Sequence, residues 1–420
     1  MFREKYCMNL MGLNMDMSTN FDSMLQVVAL LREKDCITLL EFSMDMSTIR
    51  ATMGILERIK DIEAEMAKTQ KNKATEFHLG LLKSKLAKLR SQLLEGPKTG
   101  GNSADKQFEV VKYGDARVAL IGFPSVGKST LLSTVTKTKS EAASYEFTTL
   151  TCIPGILEHK GATIQLLDLP GIIEGASQGK GRGRQVIAVA RSADLVLLML
   201  DATKSDVQRR LLEQELALVG IRINQSPPNV YYKPKKTGGV SFNATLPLTH
   251  LNAKLCIAIL RDRAVHSADI IVREDVTVDQ FLDVVEGNRQ YIKCLYVYNK
   301  IDSVSLEEVD RLARQPNTVV VSCESRLNID ALIDRIWTTL ALCRVYTKKR
   351  GAAPDFGDPL VLREGARVED ACRTIHRSLA DASQVKYCLV WGASTKHNPQ
   401  RVGFGHLLAD EDVVQVVKTT

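Results

Sequence analysis

The chain has 420 residues, 45% of them hydrophobic and 25% charged, with a net charge of +7. That length suits roughly two to four domains, and that apolar content supports packed cores rather than a disordered chain. The nine cysteines contain no Cys-x-x-Cys pair, which excludes a zinc knuckle or a disulfide framework and reads as reduced, buried thiols.

Residues 1–50 stand apart. Met15-Asp-Met-Ser-Thr19 recurs as Met44-Asp-Met-Ser-Thr48, and the expectation is an extension, with translation starting at Met44, Met46 or Met53. The apolar run Met24–Leu31 is too short to span a membrane and lacks signal-peptide order, so no membrane partner is expected. Residues 51–108 predict a helical hairpin. Ile55, Ile59, Ile62 and Met66 make one apolar stripe, and Leu82, Leu86, Leu89 and Leu93 another, across the polar turn Thr69–Thr75. Lys71, Lys73, Lys83, Lys85, Lys88 and Arg90 are placed on its outer faces, solvated or against RNA, and Gly96–Ser103 is a linker by composition.

A nucleotide-binding core is expected over 109–222 and 291–345. The buried strand Arg117–Ile121 runs into Gly122-Phe-Pro-Ser-Val-Gly127-Lys128-Ser129-Thr130 and then a helix, the context of a phosphate-binding loop. Glycines let several N–H groups point at one centre, and the helix adds its positive N-terminal end. Pro124, Ser125, Val126, Gly127, Lys128, Ser129 and Thr130 are the phosphate-side candidates, with Lys128 on the β- and γ-phosphates and the Ser129 hydroxyl on Mg²⁺.

A second strand, Ile164–Asp168, ends in Asp168-Leu-Pro-Gly171. Asp168 can hold the Mg²⁺ shell through water, and the Gly171 N–H can approach the γ-phosphate. Thr148 or Thr149 in Tyr145–Thr149 can give Mg²⁺ a hydroxyl when the γ-phosphate is present; Thr149 is favoured. Lys128, Thr149 and Gly171 are therefore the catalytic candidates, and Ser129, Thr149 and Asp168 the metal-binding ones. Gly179–Arg184 reads as a mobile switch. Ile172 stands where many small GTPases place a water-orienting glutamine; its side chain cannot hydrogen-bond water, so slow unaided turnover is expected.

The strand Leu295–Tyr298 leads into Asn299-Lys300-Ile301-Asp302. The Asp302 carboxylate can accept both the N1–H and N2–H₂ of guanine, a pair that adenine lacks. Asn299 can bond the base edge and tie loops together, and Lys300 can lie along the ring. Thr318–Val321 ends in Ser322-Cys323-Glu324, whose backbone N–H groups can reach the guanine oxygen. GTP or GDP is thus the expected ligand. Residues 223–290 are too long for a loop and predict an inserted α+β domain, with a hairpin signal over Asn229–Phe242 and lysines at 233, 235 and 236. Residues 346–420 read strand, helix, strand and a closing strand. Core packing is the favoured reading of Tyr387 and Trp391 there, base stacking the other.

The phosphate loop, Tyr145–Gly155, Asp168–Ala176 and Gly179–Arg191 closely resemble the developmentally regulated GTP-binding (DRG) proteins, a family of Obg-like GTPases; the resemblance runs from about Met53 to the C-terminus. The wording of Ala67–Gly80 is similar to the first eukaryotic branch of that family. The C-terminal unit is similar to a TGS domain, a ubiquitin-like β-grasp module. The resemblance implies an α/β fold: a doubly wound P-loop GTPase sheet with an N-terminal ribosome-facing helical hairpin, an insert similar to a ribosomal-protein fold, and the C-terminal β-grasp unit. It also implies a cytoplasmic GTPase associated with translating ribosomes, a stabilising zinc-finger partner of the DRG-regulatory type, and stimulation by K⁺. Relatives often carry Asn in the phosphate loop for K⁺, where this chain has Ser125. The alternative to a hydrolysing switch is an RNA- or protein-binding scaffold with a structural nucleotide.

Overall fold

The computed structural model describes residues 46–70, 72, 75–95, 114–136, 154–169, 190–380 and 384–418. Thr148, Thr149, Gly171, Ile172, Gly179–Arg184 and the linker Gly96–Ser103 lie outside them. The chain divides into two units, Met1–Glu57 and Arg58–Thr420; the described residues of the first, 46–57, are helical.

The elements begin with helices α1 (Met46–Lys68) and α2 (Glu76–Glu95). Helix α1 starts five residues before the expected position, inside the second Met-Asp-Met-Ser-Thr copy, so the expected boundary at 50/51 cuts a helix. The nucleotide-binding core comprises β1 (Ala116–Gly122), α3 (Lys128–Val135), β2 (Pro154–His159), β3 (Ala162–Asp168), β4 (Leu195–Asp201), α4 (Val207–Val219) and β5 (Ile221–Ile223). After an excursion through β6 (Val230–Pro234), β7 (Val240–Ala244), α5 (Ala253–Asp262), β8 (Ala268–Val272) and α6 (Val278–Glu286), it resumes with β9 (Gln290–Asn299), α7 (Leu306–Ala313), β10 (Thr318–Val320) and α8 (Ile329–Leu340). The last part holds β11 (Leu342–Lys348), β12 (Pro354–Arg363), α9 (Val368–Ile375), β13 (Val385–Trp391), β14 (Gln400–Val402) and β15 (Asp412–Lys418).

The central sheet has the order β10-β9-β4-β1-β3-β2, with β5 also on β9; every pair is parallel except β2 with β3. Strands buried on both faces must be apolar throughout, and β1 and β4 are buried along their whole length. Ala119, Ile121, Val196 and Leu198 face one core with α4, while Val118, Leu120, Leu195 and Leu197 face the other with α3 and α8. Register then aligns the carboxyl ends. Leu120 is opposite Asp168, Gly122 opposite Met199, and Asp201 opposite Asn299. The phosphate loop, Asp168, Asp201 and the Asn299 loop are thereby brought to one edge, where open α/β sheets bind ligands.

Two expectations are corrected. Strands β6 and β7 do not form a hairpin, because β8 lies between them, antiparallel to β6 and parallel to β7. Their connection wraps Ser267: Lys235 N–H donates to its carbonyl and Gly239 N–H to its hydroxyl. Placed centrally, β8 satisfies its backbone on both sides while burying Ala268, Ile270 and Val272. The expected boundary at 345/346 cuts β11. The chain reverses at Ala341 (φ 51°), and β11 enters the C-terminal sheet directly, in the order β12-β11-β15-β13-β14.

Helix α2 packs on the inserted elements. Gly80 approaches Leu255 so closely that a Cβ would stand 3.0 Å from its side chain, and Leu82 and Leu86 are buried. Three expected outer-face cations are engaged within the chain: Lys83 with Asp279 at 2.6 Å, Lys88 with the Asp262 carbonyl at 3.0 Å, and Arg90 with Glu63 at 2.7 Å. In the insert Lys235 pairs with Asp269 at 2.6 Å. A chain of alternating charges, Arg222–Asp283–Arg289–Glu286–Arg263, joins β5, α6 and the start of β9, and Arg263 continues to the Ser84 carbonyl of α2. Burying such charges is tolerable because each has a partner of opposite sign.

Candidate nucleotide site

The phosphate loop curls where two close approaches leave no room for side chains. A Cβ on Gly122 would stand 2.5 Å from the Met199 carbonyl oxygen, and one on Gly127, which has φ 97°, would run into Nδ2 of Asn299. Ser125 also adopts positive φ, at 65°, and is exposed together with Pro124. Gly127 caps α3, so Lys128, Ser129 and Thr130 form its first turn, with the N–H groups that such a turn leaves unpaired.

Lys128 is only 9% exposed and its ammonium donates to the carbonyls of Gly122 at 2.8 Å and Phe123 at 3.0 Å. Burial holds it below the usual lysine value, with the Asp168 charge working the other way. The ammonium thus lies inside the curl. Across the edge, the Ser129 hydroxyl donates to Asp168 Oδ2 at 3.0 Å. A hydroxyl and a carboxylate at this spacing are a hard-oxygen set of the kind that suits Mg²⁺.

Asn299 is 4% exposed and uses its whole amide to tie loops. Its Nδ2 donates to the Val126 carbonyl at 2.9 Å, and its Oδ1 accepts from Cys323 N–H at 3.0 Å. Val126 therefore contributes to the site through its backbone. Cys323 N–H and Ser322 N–H, which donates to the Leu327 carbonyl, are both engaged within the protein, contrary to the expectation that they face the guanine oxygen. The strands turn so tightly here that the loops first satisfy each other. Burial pushes the Cys323 thiol up to about 11, so its sulfur carries no charge near neutral pH.

Asp302 is exposed, on the turn after Lys300. Its Oδ1 accepts from the Ser322 hydroxyl at 2.6 Å and its Oδ2 from that of Ser303 at 3.1 Å. The Ser322 bond in particular holds the carboxyl below its ordinary range, keeping it ionised as an acceptor. Lys300 makes an ion pair of 2.7 Å with Asp201 Oδ2. This pair brings Asp201 beside the candidate site, a placement that sequence reasoning misses, since the residue merely ends an apolar strand. Its only local signal is a carboxylate at the carboxyl end of a strand next to the phosphate-loop strand.

In the C-terminal sheet Tyr387 and Trp391 are half-buried and lie outside the core formed by Cys388, Val390 and their neighbours, so the favoured core reading is corrected. Strand alternation puts them on the opposite face. There the Arg401 guanidinium stands 4.4 Å from the Tyr387 ring centre and the Lys348 ammonium 4.8 Å from that of Trp391. The six described cysteines are all buried free thiols.

Among known families, a profile described as 50S ribosome-binding GTPase matches residues 117–232, the C-terminal region of that domain 237–342, and the TGS domain 343–418. Developmentally-regulated GTP-binding protein 2 of Homo sapiens is 64% identical over 366 residues, covering 87% of this chain and 100% of the relative. The Mus musculus protein of that name is 65% identical and the Dictyostelium discoideum homologue 64%, each with the same coverage. Developmentally-regulated G-protein 1 of Arabidopsis thaliana is 62% identical over 369 residues, covering 87% of this chain and 92% of the relative.

Proposed function

This chain belongs to the developmentally regulated GTP-binding protein family, and from that premise we propose that it works as a slow, Mg²⁺-dependent switch at ribosomes. It is a GTP-binding protein and a GTPase. The observation that carries the site is the alignment of strand ends. Register brings Lys128 and Ser129 after β1, Asp168 at the end of β3, and Asn299 and Asp302 after β9 to one edge of one sheet, with the phosphate loop between Asp168 and the base loop.

In this proposal Lys128 and the first-turn N–H groups hold the β- and γ-phosphates, and Asp302, fixed by Ser322, reads the guanine edge. Ser129 and Asp168 hold Mg²⁺, which when bound supplies positive charge to the phosphate oxygens. Thr149 and Gly171 complete the γ-phosphate side. K⁺ stimulation stays in the proposal through the family, with the exposed Ser125 in a loop where Obg-like relatives often carry Asn. Cytoplasmic placement and a zinc-finger partner of the DRG-regulatory type rest on the family alone. Among the described residues no helix is long and apolar enough to cross a membrane.

Ribosome association is supported by the matching GTPase and TGS profiles and by the cation–aromatic pairs of β13. Stacking on one base is worth about 1–3 kcal/mol. Co-sedimentation of the full chain with ribosomes in a non-hydrolysable GTP analogue tests this. The wild type is expected in the ribosome pellet, and Trp391→Ala is expected to weaken its retention by about tenfold. Equal amounts of wild type in the pellet with and without ribosomes would remove the ribosomal role.

A further inference from the structure

Asp201 has a constrained environment. It ends β4, the strand that lies between β1, which leads to the phosphate loop, and β9, which leads to the base loop. The residue is only 5% exposed, and a buried carboxylate is costly unless paired. One oxygen, Oδ1, accepts from the Thr203 N–H at 3.0 Å and the Thr203 hydroxyl at 2.6 Å. The other, Oδ2, accepts from Lys300 at 2.7 Å. The next residue, Ala202, donates its N–H to the Asn299 carbonyl at 2.9 Å, so the end of β4 grips the base loop by backbone as well as by charge. Lys300 itself sits at φ 67°, a left-handed conformation that a lysine holds only when its surroundings fix it on both sides.

We propose that Asp201 is a positioning residue for the nucleoside: by holding the Lys300 ammonium over the end of β4, it lays the Lys300 stem across the gap between the phosphate loop and the base loop, as a surface for the purine ring. This rests on the nucleotide-site reading above. The stem runs from β9 back towards β4, and the two loops that hold the ends of the nucleotide flank that line. Lysine without its partner would sample other rotamers and point its charge at the phosphates. Although burial alone pushes the Asp201 carboxyl up, the bonds from Lys300 and Thr203 hold it below its ordinary range, so the anchor is charged near neutral pH. The ring face is common to all purines. Asp201 therefore sets affinity without setting which purine is bound, a division of labour with Asp302.

The test is titration of the full chain with GDP and with inosine diphosphate, which lacks the exocyclic amine. Asp201→Asn is expected to weaken both by the same factor, about tenfold, and to add less than about twofold in a Lys300→Met background, because the two residues act as a unit. A change below about twofold in the otherwise native chain overturns the proposal. So does a tenfold loss that persists in the Lys300→Met background, since Asp201 would then act through the fold. If Asp201→Asn does not yield folded protein, Thr203→Val serves. It removes one bond to the carboxylate from an exposed position and is expected to weaken both ligands by about threefold, whereas unchanged affinities count against the proposal. Wild type that binds neither ligand would instead bring down the nucleotide-site reading itself, and the role of Asp201 with it.

Discussion

Lys128→Ala is expected to lower the affinity for GTP and GDP by on the order of 10²- to 10³-fold. Its ammonium is one of the few mobile donors inside the phosphate loop, and charge-assisted bonds to phosphate oxygens are the strong class of hydrogen bond. Replacement also strips a donor from the Gly122 and Phe123 carbonyls, so the free protein should be melted without nucleotide to separate the two effects. Calorimetric titration reads the affinity; a value within about threefold of wild type would contradict the role given to Lys128. The same variant decides between switch and scaffold. A switch loses the dependence of ribosome retention on the GTP analogue, while a scaffold sediments as before and keeps its cellular function.

Asp302→Asn is expected to exchange guanine for xanthine, changing the ratio of GTP to XTP affinity by on the order of 10³. Guanine presents two donors to the carboxylate. An amide offers one acceptor and one donor, matching the N1–H and C2 carbonyl of xanthine. The Ser322 hydroxyl donates to Oδ1 of Asp302, and the amide oxygen can take over that bond, so the loop keeps its shape. Competition of GTP and XTP against a fluorescent guanine nucleotide gives the ratio. An unchanged ratio would mean that this loop does not read the base.

Much of the site is legible in the chain because buried parallel strands are continuous apolar runs, and a short local signal stands at the end of each. Gly122–Thr130, Asp168 and Asn299–Asp302 all sit where such runs end. Features that depend on distant partners are not legible. Nothing near β6 and β7 says that β8, some thirty residues on, will separate them. Lys83 and Lys88 look solvent-bound until α2 is laid on the acidic side of the insert. Tyr387 and Trp391 carry the same apolar content on either face of a strand, and only the pairing of β13 with β14 and β15 assigns them to the outer one. Asp201 pairs with Lys300 across ninety-nine positions of sequence, a relation that register creates and no local pattern carries.

This GTPase is expected to hold its nucleotide firmly and to cut it slowly unaided. In the sequence, Ile172 falls where many small GTPases place a water-orienting glutamine, and its side chain cannot make that hydrogen bond, which is the ground for expecting slow turnover. Single-turnover hydrolysis of GTP by the purified full chain, with Mg²⁺ and with K⁺ or Na⁺ as the only monovalent cation, tests this directly. The expected rate is on the order of 10⁻⁴ to 10⁻² per second, faster in K⁺ than in Na⁺. Equal rates in the two salts would remove K⁺ from the mechanism, and a rate above about one per second would contradict the slow switch itself.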